Sequence, residues 1–340
     1  MTATNAITMG LNAAILTVVD DLPRVLVVRH ADHVLAAPEN SPESLPFGPF
    51  DPAHDRTLDL GLRRWISELT GLKVGYVEQL YTFGNRFRDP GELHGGPRVI
   101  SVGYLGLLHE QTPAGRGEAH WHEVYDYLPW EDWRKGQPAL LASTLLPQLE
   151  GWAAEAPSPT EKTRRTQRIM ANFGTATGTF DPERVLERFE LLYDAGLVAE
   201  AHRDYAALNG KTDNLPISRP LEQHPQLAAL TQHTGHPMAL DHRRILAAAL
   251  QRVRGKLKYR PLVFELLPKE FTLFQLQRVV EALSGVGLHK QNFRRLVLNE
   301  QLVEETGKME TAGRGRPAAL FRFREQARYE RLAPGVGLPR

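Results

Sequence analysis

Lys290, Gln291, Asn292, Arg294 and Arg295 stand within one six-residue stretch, and every one carries side-chain N–H donors. Arginine, lysine, glutamine and asparagine are the side chains that pair with base edges and phosphates. This run is therefore suited to gripping a nucleic-acid duplex, provided that one helix face turns inward and leaves these donors outside. Phe293, Leu296 and Val297 supply that inward face for a helix from His289 to about Glu300. A second donor pair lies in Gly313-Arg314-Gly315-Arg316-Pro317. That segment is too rich in Gly and Arg for a tight two-residue hairpin turn, and suits a flexible basic loop whose Arg314 and Arg316 enter a narrow minor groove.

The elements around these donors follow from periodicity. Thr272 can N-cap a helix whose Leu273, Leu276, Val279, Val280 and Leu283 share one face and which stops at Gly285. Thr272 and Gln275, at its start, complete the candidate DNA-contacting residues. Strands are predicted at 302–306 and 319–323, on either side of the Gly/Arg loop. Helix, turn, helix and two-stranded wing is the order of a winged helix-turn-helix. The plainer reading, a solvated basic face, explains any one of these features but not their order. Charge supports the module: residues 241–331 hold 19 Lys and Arg against 10 Asp and Glu, whereas residues 1–240 hold 21 against 30. A formal net charge of +1 thus conceals a bipolar chain.

With 340 residues, 42% of them hydrophobic, the chain is long enough for two domains and a small third unit. No apolar run approaches the ~20 residues that cross a bilayer, and the N-terminus lacks the pattern of a signal peptide. The absence of cysteine excludes a disulfide framework and thiolate metal sites. A cytoplasmic protein with no membrane partner is expected.

From the N-terminus, apolar strands are predicted at 11–19 and 24–29, joined by a hairpin turn over Asp20-Asp21-Leu22-Pro23. A turn-dense segment over 45–52 leads to a helix over 58–70, stopped by Gly71, and strands follow at 76–83 and 99–108. Trp121, Tyr125, Tyr127, Trp130 and Trp133 crowd into thirteen residues, a pattern of packing more than of ligand stacking. Loops rich in Pro, Ser, Gly and Thr punctuate 151–237. Between them an amphipathic helix is predicted over 182–197 with Asp181 as its N-cap, and a basic amphipathic helix over 241–255 precedes the winged module.

Two resemblances emerge from these residues. Leu45-Pro46, Gly48, Phe50-Asp51-Pro52 and the run from Arg64 to Leu72 look like a degenerate Nudix box, with Glu78 to Gly84 similar to the strand that follows it. The box helix of Nudix hydrolases carries three glutamates that hold Mg²⁺ against a diphosphate, and carboxylates at i, i+3 and i+4 share one helix face. Here those places are Trp65, Glu68 and Leu69, and an earlier glutamate is replaced by Arg56. Combined with Phe264-Glu265-Leu266-Leu267-Pro268, Asn292-Phe293-Arg294-Arg295 and Gly315-Arg316-Pro317-Ala318, the chain closely resembles Nudix-related transcriptional regulators of NAD metabolism over about 11–150 and 238–325.

The resemblance implies an α+β protein: a Nudix-like α/β/α sandwich over 1–150 that senses an effector, a helical insertion or linker over 151–237, and a winged helix-turn-helix over 238–330. It implies a homodimeric repressor of NAD synthesis or salvage genes that binds a palindromic double-stranded operator. The expected effector is an NAD-related nucleotide such as NAD or ADP-ribose, met by Arg64, Glu68, Arg86, Arg88 and Arg98. For Arg64 and Glu68 a local i, i+4 ion pair is the plain alternative. No catalytic residue, metal or required cofactor is expected, because one glutamate cannot orient a dication as three can. The rival readings are an active hydrolase of ADP-ribose or a related dinucleotide, and an adaptor whose winged helix contacts protein.

Overall fold

The computed structural model describes residues 7–29, 43–115, 118–175, 180–208, 215–258, 260–310 and 317–328. Strands β1 (Ile7–Val19) and β2 (Leu22–Arg29) form a hairpin whose turn residues Asp20 and Asp21 have φ of 51° and 64°. Aspartate tolerates this left-handed region, and two such residues give the turn whose twist matches the strands. Next come β3 (Phe47–Pro49), helix α1 (Leu58–Thr70), β4 (Tyr76–Phe83), β5 (Arg98–Leu107) and β6 (Glu118–Glu123). The sheet order is β4-β5-β1-β2-β6, with β3 also on β1; β1 and β5 are parallel and the other pairs antiparallel. The turn-dense segment thus contains a short strand, and β6 runs into the aromatic stretch; neither strand was expected.

Alternation along the strands makes two cores. Leu11, Ala13 and Ile15 of β1 pack with Leu26, Val102 and Tyr104 against Leu62 and Ile66 of α1. Ala14 and Leu16 point the other way, with Val25, Val27, Leu105 and Leu107. α1 has the predicted bounds: the Thr57 side chain accepts from Leu60 N–H and Gly71 closes the helix at φ 72°.

After the short α2 (Val124–Tyr127) come α3 (Leu146–Ala154), α4 (Pro159–Phe173), α5 (Val185–Asp194), α6 (Ala199–Ala207), α7 (Gln226–Leu230) and α8 (His242–Leu257). The second face of the sheet is covered by α8, whose Ile245, Leu246 and Leu250 share a core with Ala14, Val25 and Leu105. Glu78 of β4 locks it there, accepting from Arg252 at 2.6 Å and Lys256 at 2.5 Å. The helix grouped with the winged module by its basic residues is therefore the second layer of the sandwich. Trp152, Phe173, Phe189 and Leu192 extend the same core, so the insertion packs as part of the body. Asp181 does not cap α5: Arg184 holds that position, and the Asp181 carboxylate accepts instead from Glu183 N–H at 3.0 Å. Tyr125, Tyr127 and Trp130 are core residues, and Trp133 stacks on Phe180 with centroids 4.2 Å apart.

The winged module comprises α9 (Leu273–Ser284), α10 (Lys290–Asn299), β7 (Val303–Glu310) and β8 (Ala318–Phe323). Phe271 pairs with Phe321 through two backbone hydrogen bonds of 2.9 and 2.8 Å, adding a third edge to the wing. Among the described residues no helix is long and apolar enough to cross a membrane.

Module and body meet at a fully buried ion cluster. The Glu131 carboxylate accepts from Arg188 of α5 at 2.6 and 2.8 Å and from Arg254 of α8 at 2.5 Å. Arg254 also donates to the Leu283 carbonyl of α9 at 3.0 Å, and Trp133 N–H donates to the Gly285 carbonyl at 2.7 Å. A Cβ at Gly285, whose φ is 72°, would stand 2.4 Å from the Glu131 carbonyl oxygen. Burial pushes the Glu131 carboxyl up, but the Arg188 and Arg254 guanidiniums outweigh it and hold the group below its ordinary 4.5.

Removing one member of such a cluster leaves uncompensated buried charge. Glu131→Gln is expected to lower stability by about 3–5 kcal/mol in denaturant unfolding at neutral pH. A depressed carboxyl contributes fully above its unfolded value and loses that contribution as pH falls through the folded value. The acid limb of stability below about pH 4.5 should accordingly be shallower in this variant. Wild-type unfolding by Glu131→Gln would show that the cluster does not hold module and body together.

Candidate nucleic-acid interface and ligand face

α10 turns Phe293 and Val297 into the module's core and leaves Lys290, Gln291, Asn292, Arg294 and Arg295 exposed. The sequence reading of this helix thus places all five donors outward. None of the five makes a side-chain hydrogen bond or ion pair with a described residue, in a chain where most arginines do. The orientation of α10 is set by two buried residues of α9, Gln277 and Glu281, to which the sequence reading gave no role. Gln277 donates to the Leu288 carbonyl at 3.0 Å and to Glu281 at 3.0 Å, while Glu281 accepts from Leu288 N–H at 2.9 Å. Glu281 accepts further from Arg278 at 2.9 Å, and Arg278 reaches Asp21 in the β1–β2 turn at 2.9 Å. A polar pair four residues apart in an apolar helix was the available signal.

Thr272 and Gln275 have structural work at the start of α9. The Thr272 side chain accepts from Gln275 N–H at 3.2 Å, and Gln275 Oε1 accepts from Thr272 N–H at 2.7 Å. This is a reciprocal capping box, and Thr272 is buried. The cap engages the Thr272 hydroxyl and the Gln275 amide oxygen, in two residues that the sequence reading offered as DNA contacts. Arg314 and Arg316 lie outside the described residues; β7 and β8 flank them.

The five expected effector residues divide among separate places. Arg64 donates to both oxygens of Asp55 at 2.9 Å and lies 3.6 Å from Glu68, so it closes the loop before α1 as well as forming the local pair. Hydrogen bonding to Arg64 is the main reason the Asp55 carboxyl sits below its usual range. Trp65, at a box position, lies flat on Gly48: a Cβ there would be 2.2 Å from its ring, and the indole N–H donates to the Pro49 carbonyl at 2.7 Å.

Arg88 is on the other side of the sheet. Its side chain is 2% exposed, donates to Asp241 at 3.1 Å and also bonds Ser101, tying the 84–89 loop to the start of α8. Arg98 donates to the Gly84 carbonyl at 2.7 Å. Arg86 is exposed, its guanidinium 4.6 Å from the Phe87 ring centroid. Arg86 and Arg88 line a cleft with Phe189, Tyr193, Arg203 and Arg244 from the helical insertion and α8. Arg64 and Glu68 are not part of that cleft. The insertion residues that complete it are distant in sequence and were missed.

A Nudix-like sandwich joined through a buried helical layer to a winged helix-turn-helix is the architecture of this chain. Residues 263–323 match the family described as the NrtR DNA-binding winged helix domain. The ADPR responsive transcriptional repressor NtrR of Acinetobacter baylyi is 35% identical over 119 residues, which are 35% of this chain and 46% of that protein. The matched stretch thus spans about half the length of that curated relative. Shewanella oneidensis NrtR, solved in complex with a 27mer DNA, has a similar fold: TM-score 0.55 at 19% identity, covering 98% of this chain and 99% of that one. A MutT/nudix family protein from Enterococcus faecalis gives a TM-score of 0.50 at 16% identity, covering 95% and 89%. The chain is therefore NrtR-like in its winged helix by sequence and along its length by fold.

The capping box makes a local prediction. Thr272→Ala removes an N-cap and should lower stability by about 0.5–2 kcal/mol, while the folded variant keeps wild-type affinity for a DNA fragment. Weakened DNA binding at unchanged stability would return Thr272 to the interface.

Proposed function

We propose that the protein is a DNA-binding transcriptional repressor of NAD synthesis or salvage genes, responding to an NAD-related nucleotide. The observation that carries this reading is the set of exposed donors on α10 that have no partner among the described residues, in a module that matches the NrtR DNA-binding winged helix domain. One helix reads only a few base pairs. A homodimer on a palindromic operator, with half-sites spaced by whole helical turns, gives usable specificity. The wing arginines Arg314 and Arg316 remain part of the proposed interface.

ADP-ribose is the effector favoured, since the Acinetobacter baylyi relative is named an ADPR responsive repressor. Arg86 is the cation best placed to meet its diphosphate, being exposed at the rim of a cleft with aromatic walls. Arg88 and Arg98 act by holding the 84–89 loop beside the cleft, through Asp241 and the Gly84 carbonyl, while Arg64 is engaged by Asp55 on the other face of the sheet. Among the three box positions only Glu68 is a carboxylate, and an indole seated on Gly48 stands where another would be. These residues do not suit an Mg²⁺ ion, which needs several oxygen ligands in near-octahedral array. Binding without hydrolysis is the reading they support.

The test is a mobility shift on a promoter fragment, with and without ADP-ribose, NAD, nicotinamide mononucleotide and ATP. Arg294→Ala or Arg295→Ala should each cost about 1–3 kcal/mol if the residue makes a bidentate base contact, and less, with a shallower salt slope, at a phosphate. Wild-type affinity in both variants would remove α10 from the interface. Arg86→Ala should leave DNA binding intact and raise the ADP-ribose concentration needed to change it. Sustained Mg²⁺-dependent turnover of ADP-ribose would overturn the non-enzymatic reading, and affinity insensitive to ionic strength would favour an adaptor.

A further inference from the structure

On the α8 side of the sheet, away from the box helix, three side chains converge that neither the DNA interface nor the ligand face uses. His120 and His122 are alternate residues of β6 and project from the same face, since Ala119 and Trp121 pack on the α1 side. Between them lies Glu43. His120 Nε2 is 2.8 Å from Glu43 Oε1 and His122 Nδ1 is 2.9 Å from Oε2. One nitrogen from each ring and one carboxylate oxygen all lie within 4.8 Å of one another. Glu43 is held from its backbone as well, its carbonyl accepting from Ala239 N–H at 2.9 Å.

We propose that Glu43, His120 and His122 bind a first-row divalent transition metal of the Zn²⁺ type. Two imidazoles and one carboxylate match the ligand preference of these ions, and modest ring rotations bring the donors to metal–ligand distances of ~2.0–2.2 Å.

The surroundings separate this site from a plain ion-pair cluster. His122 presents its second nitrogen, Nε2, to Asp126 at 3.2 Å, and the Tyr127 hydroxyl donates to Glu43 Oε2. A ligating histidine whose other ring nitrogen meets a carboxylate, and a ligating carboxylate that is itself hydrogen-bonded, form the outer shell that orients metal ligands. His236 stands edge-on to the His122 ring at 5.5 Å and walls the site. Glu43 is mostly covered, while the His120 side chain is 40% exposed, which leaves an entry path and room for water as a further ligand. The Arg29 guanidinium, 3.2 Å from Glu43, is 63% exposed and free to swing outward when the ion enters. A bound ion would fasten the chain at Glu43 to β6 and to the turn before α8.

The test uses the full chain without a histidine tag, stripped with a chelator and titrated with Zn²⁺ against a chromophoric chelator, and separately with Co²⁺ followed by visible absorption. Wild type should bind one tight equivalent, with Co²⁺ bands of a nitrogen- and oxygen-ligated site. His120→Ala and His122→Ala should each weaken this binding at least tenfold and abolish the bands. Asp126→Asn should weaken it ten- to a hundredfold, and His54→Ala should leave it unchanged. Circular dichroism checks the fold of each variant, and His120→Asn, at the most exposed of the three positions, replaces any variant that unfolds. No tight equivalent in wild type, or an equivalent retained by folded His120 and His122 variants, would overturn the site.

Discussion

The structure depends on a carboxylate buried between two guanidiniums. Glu131, Arg188 and Arg254 are each fully buried, and they come from the end of the sheet domain, the helical insertion and the second layer of the sandwich. Two positive charges facing one negative charge would be costly in a dry interior. Carbonyls of Asn172, Asp181, Pro182 and Leu283 accept the remaining N–H groups at 2.8–3.1 Å and offset that imbalance. One of them belongs to α9, so the satisfaction of the cluster requires the winged module to be docked. Gly285 has to be glycine on two grounds, its positive φ and the close approach of the Glu131 carbonyl.

From this junction the position of α10 follows without a flexible link. α9 is clamped by Arg254 at its end and by the Arg278–Asp21 pair at its middle, and its Gln277 and Glu281 grip the turn that launches α10. A shift of the β1–β2 turn or of α8 would therefore be passed to α10 as a rigid displacement. The cleft lined by Arg86 and Arg88 touches the start of α8 through Asp241, and the other end of α8 holds α9 through Arg254, so one helix joins the cleft to the winged module. Under the proposed function, such contiguity is a route by which a ligand in the cleft would bias DNA binding, and differential contact with two arrangements of that helix would supply the coupling energy.

The helix α1 rests on its own caps and packing. The capping of α1 by Thr57 and Gly71 and its packing through Leu62 and Ile66 depend on none of the box carboxylates. Trp65 packs on Gly48, and Arg64 finds its partner in Asp55.

The sequence by itself determined what rests on local periodicity and local caps. The bounds of α1 and α9, the hairpin at Asp20-Asp21, the two wing strands and the outward donors of α10 were all legible, because each is set by neighbours a few residues away. The short strand β3 was not, since Phe47–Pro49 becomes a strand only by pairing with β1. Tertiary structure alone decided where the basic helix over 242–257 belongs: its charge grouped it with the winged module, yet Arg243 and Arg254 are buried against Glu200 and Glu131, partners 43 and 123 residues away. Tertiary structure also divided the candidate effector arginines, because a two-sided sheet sends Arg64 to one face and Arg88 to the other. It likewise gathered Glu43 beside His120 and His122. Charge type can be read from a residue, but whether that charge meets a ligand, solvent or a buried partner depends on contacts that the fold makes between distant segments.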